Sequence, residues 1–329
     1  MSFSQNLFIP FKQCIKSFEL PVKFNFPHYY QPHPLCKLAA QELQKYISEQ
    51  QGWYHNFGLG EDMESIIGKM FGVMLVQNAS GEIGYICAFS GKLADSNNIP
   101  GFVPPVFDML SEGSFFLAEQ RQINKLNEAI EELESNTEFI ELTQQLNQEE
   151  QKAEEVLEKK RLVHIENRKS RKKLRQEVLE TLSEPDAKQL SIQLSRESVT
   201  DKKQMAQLKI DLSNTLKKIS TKLRVLSDKI ENLKEERKSR SSQLQDKLFK
   251  QYAFLNALGE KKDLKQLFSG LTHSTPPAGA GECAAPKLLQ YAYLQGLKPL
   301  AFAEFWWGQS PKSEVRQHRH FYPACQGKC

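Results

Sequence analysis

Long apolar runs are missing from this chain. Nowhere do eighteen apolar residues follow one another, so no segment reads as a bilayer-spanning helix. The first residues, Met1-Ser2-Phe3-Ser4-Gln5-Asn6, have neither a basic stretch nor an apolar core, which argues against a secretory leader. Cysteine is sparse as well: six residues at irregular, distant spacings do not make a disulfide framework. The chain therefore reads as cytoplasmic, with reduced thiols and no membrane partner. A strong charge of one sign is also absent, because 44 Lys and Arg face 40 Asp and Glu. Only local clustering can select an anionic partner. The turn Asn78-Ala79-Ser80-Gly81 is not a phosphate loop, since no Gly-x-x-x-x-Gly-Lys occurs.

What is present falls into three zones, read as 1–113, 114–258 and 259–329. The first is aromatic and punctuated by turns. After the Pro-rich His28 to Pro34, the residues Leu35, Leu38, Ala39, Leu43, Tyr46 and Ile47 recur at helical spacing. Lys69 to Val76 predicts a buried strand, and Gly84 to Phe89 predicts its return across the turn at 78–81. Glycine and proline are scarce in the second zone and return in the third. There Ser274 to Gly281 reads as a linker or ordered loop, Cys283 to Leu294 as a buried helix and Leu300 to Trp307 as a strand. Neither flanking zone alone has enough elements to bury two faces of a sheet. The spacing thus predicts one α+β class, a small mixed domain interrupted by the middle zone.

That middle zone predicts a long antiparallel coiled-coil helical hairpin. Met205, Leu208, Leu212, Leu216, Ile219, Leu223, Leu226, Ile230 and Leu233 follow at three- and four-residue steps. Ile123, Leu126, Ile130 and Leu133 open a matching seam that turns polar beyond Glu134. The break Ser183-Glu184-Pro185-Asp186 lets the arms fold back. Acidic residues from Glu128 to Glu158 would then face basic ones from Lys217 to Arg240, a pattern that sets partner and orientation.

Within the first arm, Lys159, Lys160, Arg161, Arg168, Lys169, Arg171, Lys172, Lys173 and Arg175 crowd into seventeen residues against one acid, Glu166. Clustered cations release counterions from a phosphate backbone, so this run is the candidate RNA-binding site. No aromatic residue lies between them to stack on a base. The competing reading is a solvated coiled-coil flank, partly paired with Glu177, Glu180 and Glu197.

The last zone contains Gly279-Ala280-Gly281-Glu282-Cys283-Ala284-Ala285-Pro286-Lys287, then Ala301-Phe302-Ala303-Glu304-Phe305-Trp306-Trp307-Gly308. His318, His320, Tyr322-Pro323-Ala324-Cys325 and Cys329 follow. This block resembles the region before the catalytic domain in long-form RluA-type RNA pseudouridine synthases, and the resemblance extends over nearly the whole chain. It implies isomerisation of uridine to pseudouridine in structured RNA, ribosomal or transfer, without cofactor, by an aspartate in an Arg-Leu-Asp motif. No Arg-Leu-Asp occurs here. The expectation is therefore a positioning extension with no catalytic residue of its own, served by a downstream or separate catalytic domain.

Cys283, Cys325, Cys329 and His320 form a second candidate set, because thiolates with an imidazole can hold a structural zinc. The order faintly resembles zinc-dependent deaminases, but Ala285 stands where their catalytic glutamate would be, and the cysteine pair is one residue too widely spaced. A zinc-stabilised, degenerate deaminase-like module is one alternative; a coiled-coil protein-interaction scaffold is another. The plain reading is ordinary thiols. Trp306 and Trp307 could serve as a stacking platform or lie in the core.

Overall fold

The computed structural model describes residues 6–28, 31–60, 68–177, 182–270, 275–312 and 315–325. Its elements in chain order are β1 (Ile9–Pro10), α1 (Pro34–Glu49), β2 (Lys69–Gln77), β3 (Ile83–Phe89), α2 (Phe115–Glu134), α3 (Thr137–Glu177) and α4 (Glu184–Gln251). These are followed by β4 (Ala253–Leu255), β5 (Lys261–Asp263), α5 (Leu264–Phe268), α6 (Ala284–Leu294), β6 (Lys298–Trp307) and β7 (Phe321–Tyr322). The class is mixed α and β with one very long helix. Contacts divide the chain into two units: residues 1–120 with 241–329, and residues 121–240.

The first unit is built on a five-stranded sheet of order β1-β3-β2-β6-β7, antiparallel at every pairing. The β2–β3 turn closes on Asn78, whose Oδ1 accepts from the amides of Ser80 (3.0 Å) and Glu82 (2.9 Å). Gly81 supplies the φ of +83° that this turn needs. Strand β6 lies beside β2 from Gln77↔Lys298 to Lys69↔Trp307, with one irregularity at Leu75/Val76.

Alternation sends two sets of side chains to opposite faces. Phe71, Val73, Leu75, Tyr85, Cys87, Ala301, Ala303 and Phe305 pack with Leu35, Ala39, Leu43 and Ile47 of α1. Met74, Val76, Ile86, Ala88 and Phe302 pack with Ala284, Leu288 and Ala292 of α6. Coverage on both faces is why these strands read as continuous apolar runs. Gly72 sits under the start of α6. A Cβ there would meet the Cβ of Ala284 at 2.8 Å and Leu288 Cδ1 at 3.1 Å, so glycine lets the helix approach the sheet.

Helix α1 starts where expected. Pro34 occupies its first turn, and the Nδ1 of His33 accepts from the amide of Leu35 at 3.2 Å. A third apolar cluster, Phe249, Tyr252, Leu264 and Ala280, lies against Val106 and Phe107 beside the small β4–β5 pair. Part of the expected loop at 274–281 therefore has a buried residue, Ala280. Ser274 lies outside the described residues.

In the second unit the helices α2 and α3 are separated at Asn136, whose Oδ1 accepts from the amide of Glu138 at 2.8 Å, an N-cap. The polar stretch after Glu134 thus contains a break that periodicity alone does not show. Pro185 lies in the first turn of α4, and Asp186 accepts a hydrogen bond from the Ser183 hydroxyl. At about 1.5 Å per residue, α4 alone is about 100 Å long. Ile219 and Ile230 of its predicted seam are buried, as are Ile123 and Ile130 of α2.

Contacts from α4 reach α2 and α3 in reversed order. Lys234 meets Glu134 at 2.6 Å, Arg237 meets Asn127 at 3.4 Å, Lys160 meets Gln204 at 3.0 Å, and Arg171 meets Asp201 at 2.8 Å. Among the described residues no helix is long and apolar enough to cross a membrane.

Candidate nucleic-acid interface

Helical rotation of about 100° per residue sorts the nine basic residues of α3. Lys160 and Arg171 fall on the side of His164 and Asn167, and this side faces α4. Arg161, Arg168, Lys172 and Arg175 fall within about 60° of one another on an adjoining flank. Lys169, Lys173 and Lys159 lie progressively farther round, in steps of about 40°.

Exposure follows that sorting. Lys159, Arg161, Arg168, Lys169, Lys172, Lys173 and Arg175 are exposed, whereas Lys160 and Arg171 are partly covered. Two of the exposed cations have acidic neighbours one turn away, Arg161 with Glu158 at 3.4 Å and Lys173 with Glu177 at 3.9 Å. Water screens such surface pairs, so both cations stay accessible to a phosphate. Lys159, Arg168, Lys169, Lys172 and Arg175 have no ion-pair partner among the described residues.

Arg171 is already engaged within the protein. Its side chain is 11% exposed and its guanidinium lies 2.8 Å from the carboxylate of Asp201, itself 17% exposed. Asn167 donates to the same carboxylate at 3.3 Å. Burial would push the Asp201 carboxyl up, but the hydrogen bonds from Arg171 and Asn167 outweigh it and hold the pKa below the usual aspartate value. Lys160 donates to Gln204 at 3.0 Å and is engaged in the same way.

The other helix contributes cations that the run on α3 did not reveal. Lys188, Arg196, Lys202 and Lys203 of α4 are exposed. Lys202 and Lys203 follow Asp201 directly, and Asp201 is the residue that grips Arg171. Between residues 156 and 210 the chain carries fourteen Lys and Arg against eight Asp and Glu. The contacts of Lys160 with Gln204 and of Arg171 with Asp201 bring this stretch of α4 beside the basic run of α3.

Among the described residues, Cys283, Cys325 and His320 of the proposed metal set do not come together. Among the described residues no three His, Cys, Asp or Glu side chains gather closely enough to hold a metal. Cys283 caps the start of α6 without a side-chain cap bond and is partly buried; Cys325 and His320 are exposed. Cys329 lies outside the described residues. His318 is committed elsewhere, its Nδ1 accepting from the amide of Gly308 at 2.9 Å and its ring lying 4.4 Å from Trp307. Burial lowers its pKa, and Arg319 adds to the effect. Trp306 and Trp307 are 8% and 4% exposed, so neither is a stacking platform.

What surrounds Cys283 is a buried polar assembly. The Lys287 side chain is 2% exposed, and its ammonium donates to the carbonyls of Phe89 (3.2 Å) and Gly91 (3.4 Å). It also lies 3.6 Å from Glu282 Oε2, an ion-pair separation beyond hydrogen-bond reach, and that buried oxygen has no hydrogen-bond partner among the described residues. Glu282 Oε1 accepts from the Tyr252 hydroxyl. Burial lowers the Lys287 pKa and Glu282 opposes that. Two residues before Lys287, the amide of Ala285 donates to Glu304 at 3.2 Å, and burial raises the Glu304 carboxyl to about 7. These contacts tie residue 282 and the start of α6 to strands β3 and β6.

No family model, no curated protein and no solved structure matches this chain.

Proposed function

We propose that this chain holds structured RNA, ribosomal or transfer, as the positioning extension of an RluA-type pseudouridine synthase whose aspartate lies in another domain. In this reading the second unit is an antiparallel coiled-coil hairpin, and its distal basic half is the RNA contact. One observation carries the proposal. Arg168, Lys169, Lys172 and Arg175 are exposed and without an ion-pair partner among the described residues, although glutamates abound on the same arm.

Cations left unneutralised beside so many acids suit a phosphate backbone. With no aromatic side chain among them, the contact would read shape and charge and leave sequence to the catalytic domain. The test is salt-dependent binding of the full chain to bulk tRNA and to ribosomal RNA. Changing Arg168, Lys169, Lys172 and Arg175 together to Gln should lower the slope of log K against log salt by about 3. Affinity at moderate salt should fall at least tenfold, roughly (as expected for lost backbone contacts) equally for different RNAs. An unchanged slope, or no RNA binding by the parent chain, refutes the proposal.

A scaffold role has one observation of its own: Ile192, Val199 and Ile210 on α4 are 47%, 52% and 53% exposed. Retention of a protein partner by the four-Gln variant, with no RNA binding by either protein, would favour it.

A further inference from the structure

A cavity of about 330 Å³ opens in the first unit between α1 and the β3 side of the sheet, a size typical of small-ligand pockets. Ile9, Leu43 and Pro100 give it apolar walls, and Tyr46 adds an aromatic ring that is 42% exposed. Glu42, Tyr85 and Lys12 are its polar groups. The Tyr85 residue is only 3% exposed, and its hydroxyl donates to Glu42 Oε2 at 2.9 Å. The backbone amide of Lys12 donates to Glu42 Oε1 at 3.2 Å.

These two bonds fix the carboxylate from both sides and use one lone pair on each oxygen. A carboxylate oxygen can accept twice. Each oxygen therefore keeps one acceptor position, and the pair matches two adjacent N–H donors, the bidentate arrangement that carboxylates form with planar groups. Among the planar groups that carry such donors, two are common in proteins and nucleic acids: a guanidinium and the Watson–Crick edge of guanine. Lys12 lines the same cavity, and a lysine tethered there by its backbone decides between them. Its ammonium repels a guanidinium and attracts a nucleotide's phosphate. Tyr46 favours the same answer, because a broad aromatic base gains more from its ring than a narrow guanidinium does.

We propose that this cavity is a binding site for a guanine base, with Glu42 pairing the base edge, Tyr46 contacting its face and Lys12 receiving its phosphate. The base can come from a free nucleotide or from a nucleotide turned out of an RNA strand, since both present the same chemistry. The site takes no residue from α3, so this reading does not rest on the RNA-contact proposal.

The experiment titrates GMP, IMP, UMP and a short single-stranded guanosine-containing RNA against the full chain, monitored by calorimetry. GMP should bind saturably, and IMP, which lacks the second donor, about tenfold more weakly. UMP should not bind measurably. Glu42→Gln should weaken GMP at least tenfold, because one acceptor becomes a donor, and Tyr46→Ala, at a half-exposed ring, should weaken it several-fold. Folding of each variant is checked by its thermal transition, and Tyr46→Ala keeps the test alive if Glu42→Gln fails to fold.

The four-Gln variant of α3 should bind GMP as the parent does, so failure of the RNA interface and failure of this pocket are separable. Binding of the RNA oligomer but not of GMP, lost with Glu42→Gln, supports the site with RNA as the source of the base. Binding of neither probe overturns the proposal, as does equal binding by a folded Glu42→Gln chain.

Discussion

Lys287 and Arg171 are both cations taken out of bulk water and matched with a carboxylate, yet they are built for different purposes. Lys287 is held on a short helix against a sheet, with two backbone carbonyls, a carboxylate and the Phe89 ring around it. Arg171 sits between two helices, paired with Asp201 and still partly open to solvent. The first arrangement leaves no alternative partner, so losing it strands a charge. The second has water at its edge and can rearrange. A sealed pair locks a loop in place, whereas a half-open pair chooses a register. An interior polar group in paired helices commonly serves that second end at some cost in stability.

The comparison can be broken most directly at Lys287. Changing it to Met leaves the Glu282 carboxylate buried without a cation and should cost about 3–5 kcal/mol. All three tryptophans, Trp53, Trp306 and Trp307, belong to the first unit, so the loss should appear as an earlier urea midpoint by tryptophan fluorescence. Glu282→Gln on the same background should restore part of it. A Lys287→Met chain as stable as the parent would show that the assembly is not sealed.

Glu304 sharpens the contrast through pH. Burial lifts its carboxyl from 4.5 to about 7, so the native protein holds a proton that the unfolded chain releases near pH 4.5. This group's contribution is complete below about pH 4.5 and is lost as pH rises through 7, because the unfolded state then binds fewer protons than the native one. Glu304→Gln should flatten that slope and gain about 2 kcal/mol relative to the parent between pH 5 and pH 8. Parallel stability curves for the two proteins would contradict it.

The smallest effect is expected at Arg171. Its change to Ala should cost about 1 kcal/mol, seen as a lower thermal midpoint in helical circular dichroism with tryptophan fluorescence unmoved. A double-mutant cycle with Asp201→Asn should return most of that as coupling. A penalty as large as that at Lys287 would erase the distinction.

Much of the frame could be read from residue order, and the physical reasons are particular. The long helix through Met205 to Leu233 was legible because its apolar residues keep one helical stripe. The strands at 69–77 and 298–307 were legible because sheet residues covered on both faces form unbroken apolar runs. The short strands β1, β4 and β5 were not, since two or three residues establish no period. Asn136 escaped notice because a cap bond is local and leaves charge composition unchanged.

The basic set was legible as charge but not as partnership, because no spacing within α3 announces Asp201 on α4. Lys287 carried a faint signal. It shares a helical stripe with Ala284, Leu288 and Tyr291, where a lysine is out of place unless something buried receives it. The cavity at Glu42 had none, as Lys12, Glu42, Tyr85 and Pro100 come from four distant stretches.

The sheet also sets an order of events during synthesis. Strand β6 pairs with β2 although more than two hundred residues separate them. At about 5–20 residues per second, the β2–β3 ribbon waits roughly 10–45 s before its partner is made. Through that interval β2 presents a bare apolar edge, the kind that recruits other chains. Helical segments formed from local contacts fold far sooner than the sheet can close. The nascent protein is therefore most exposed to aggregation, and most in need of a chaperone, while its long helices are emerging.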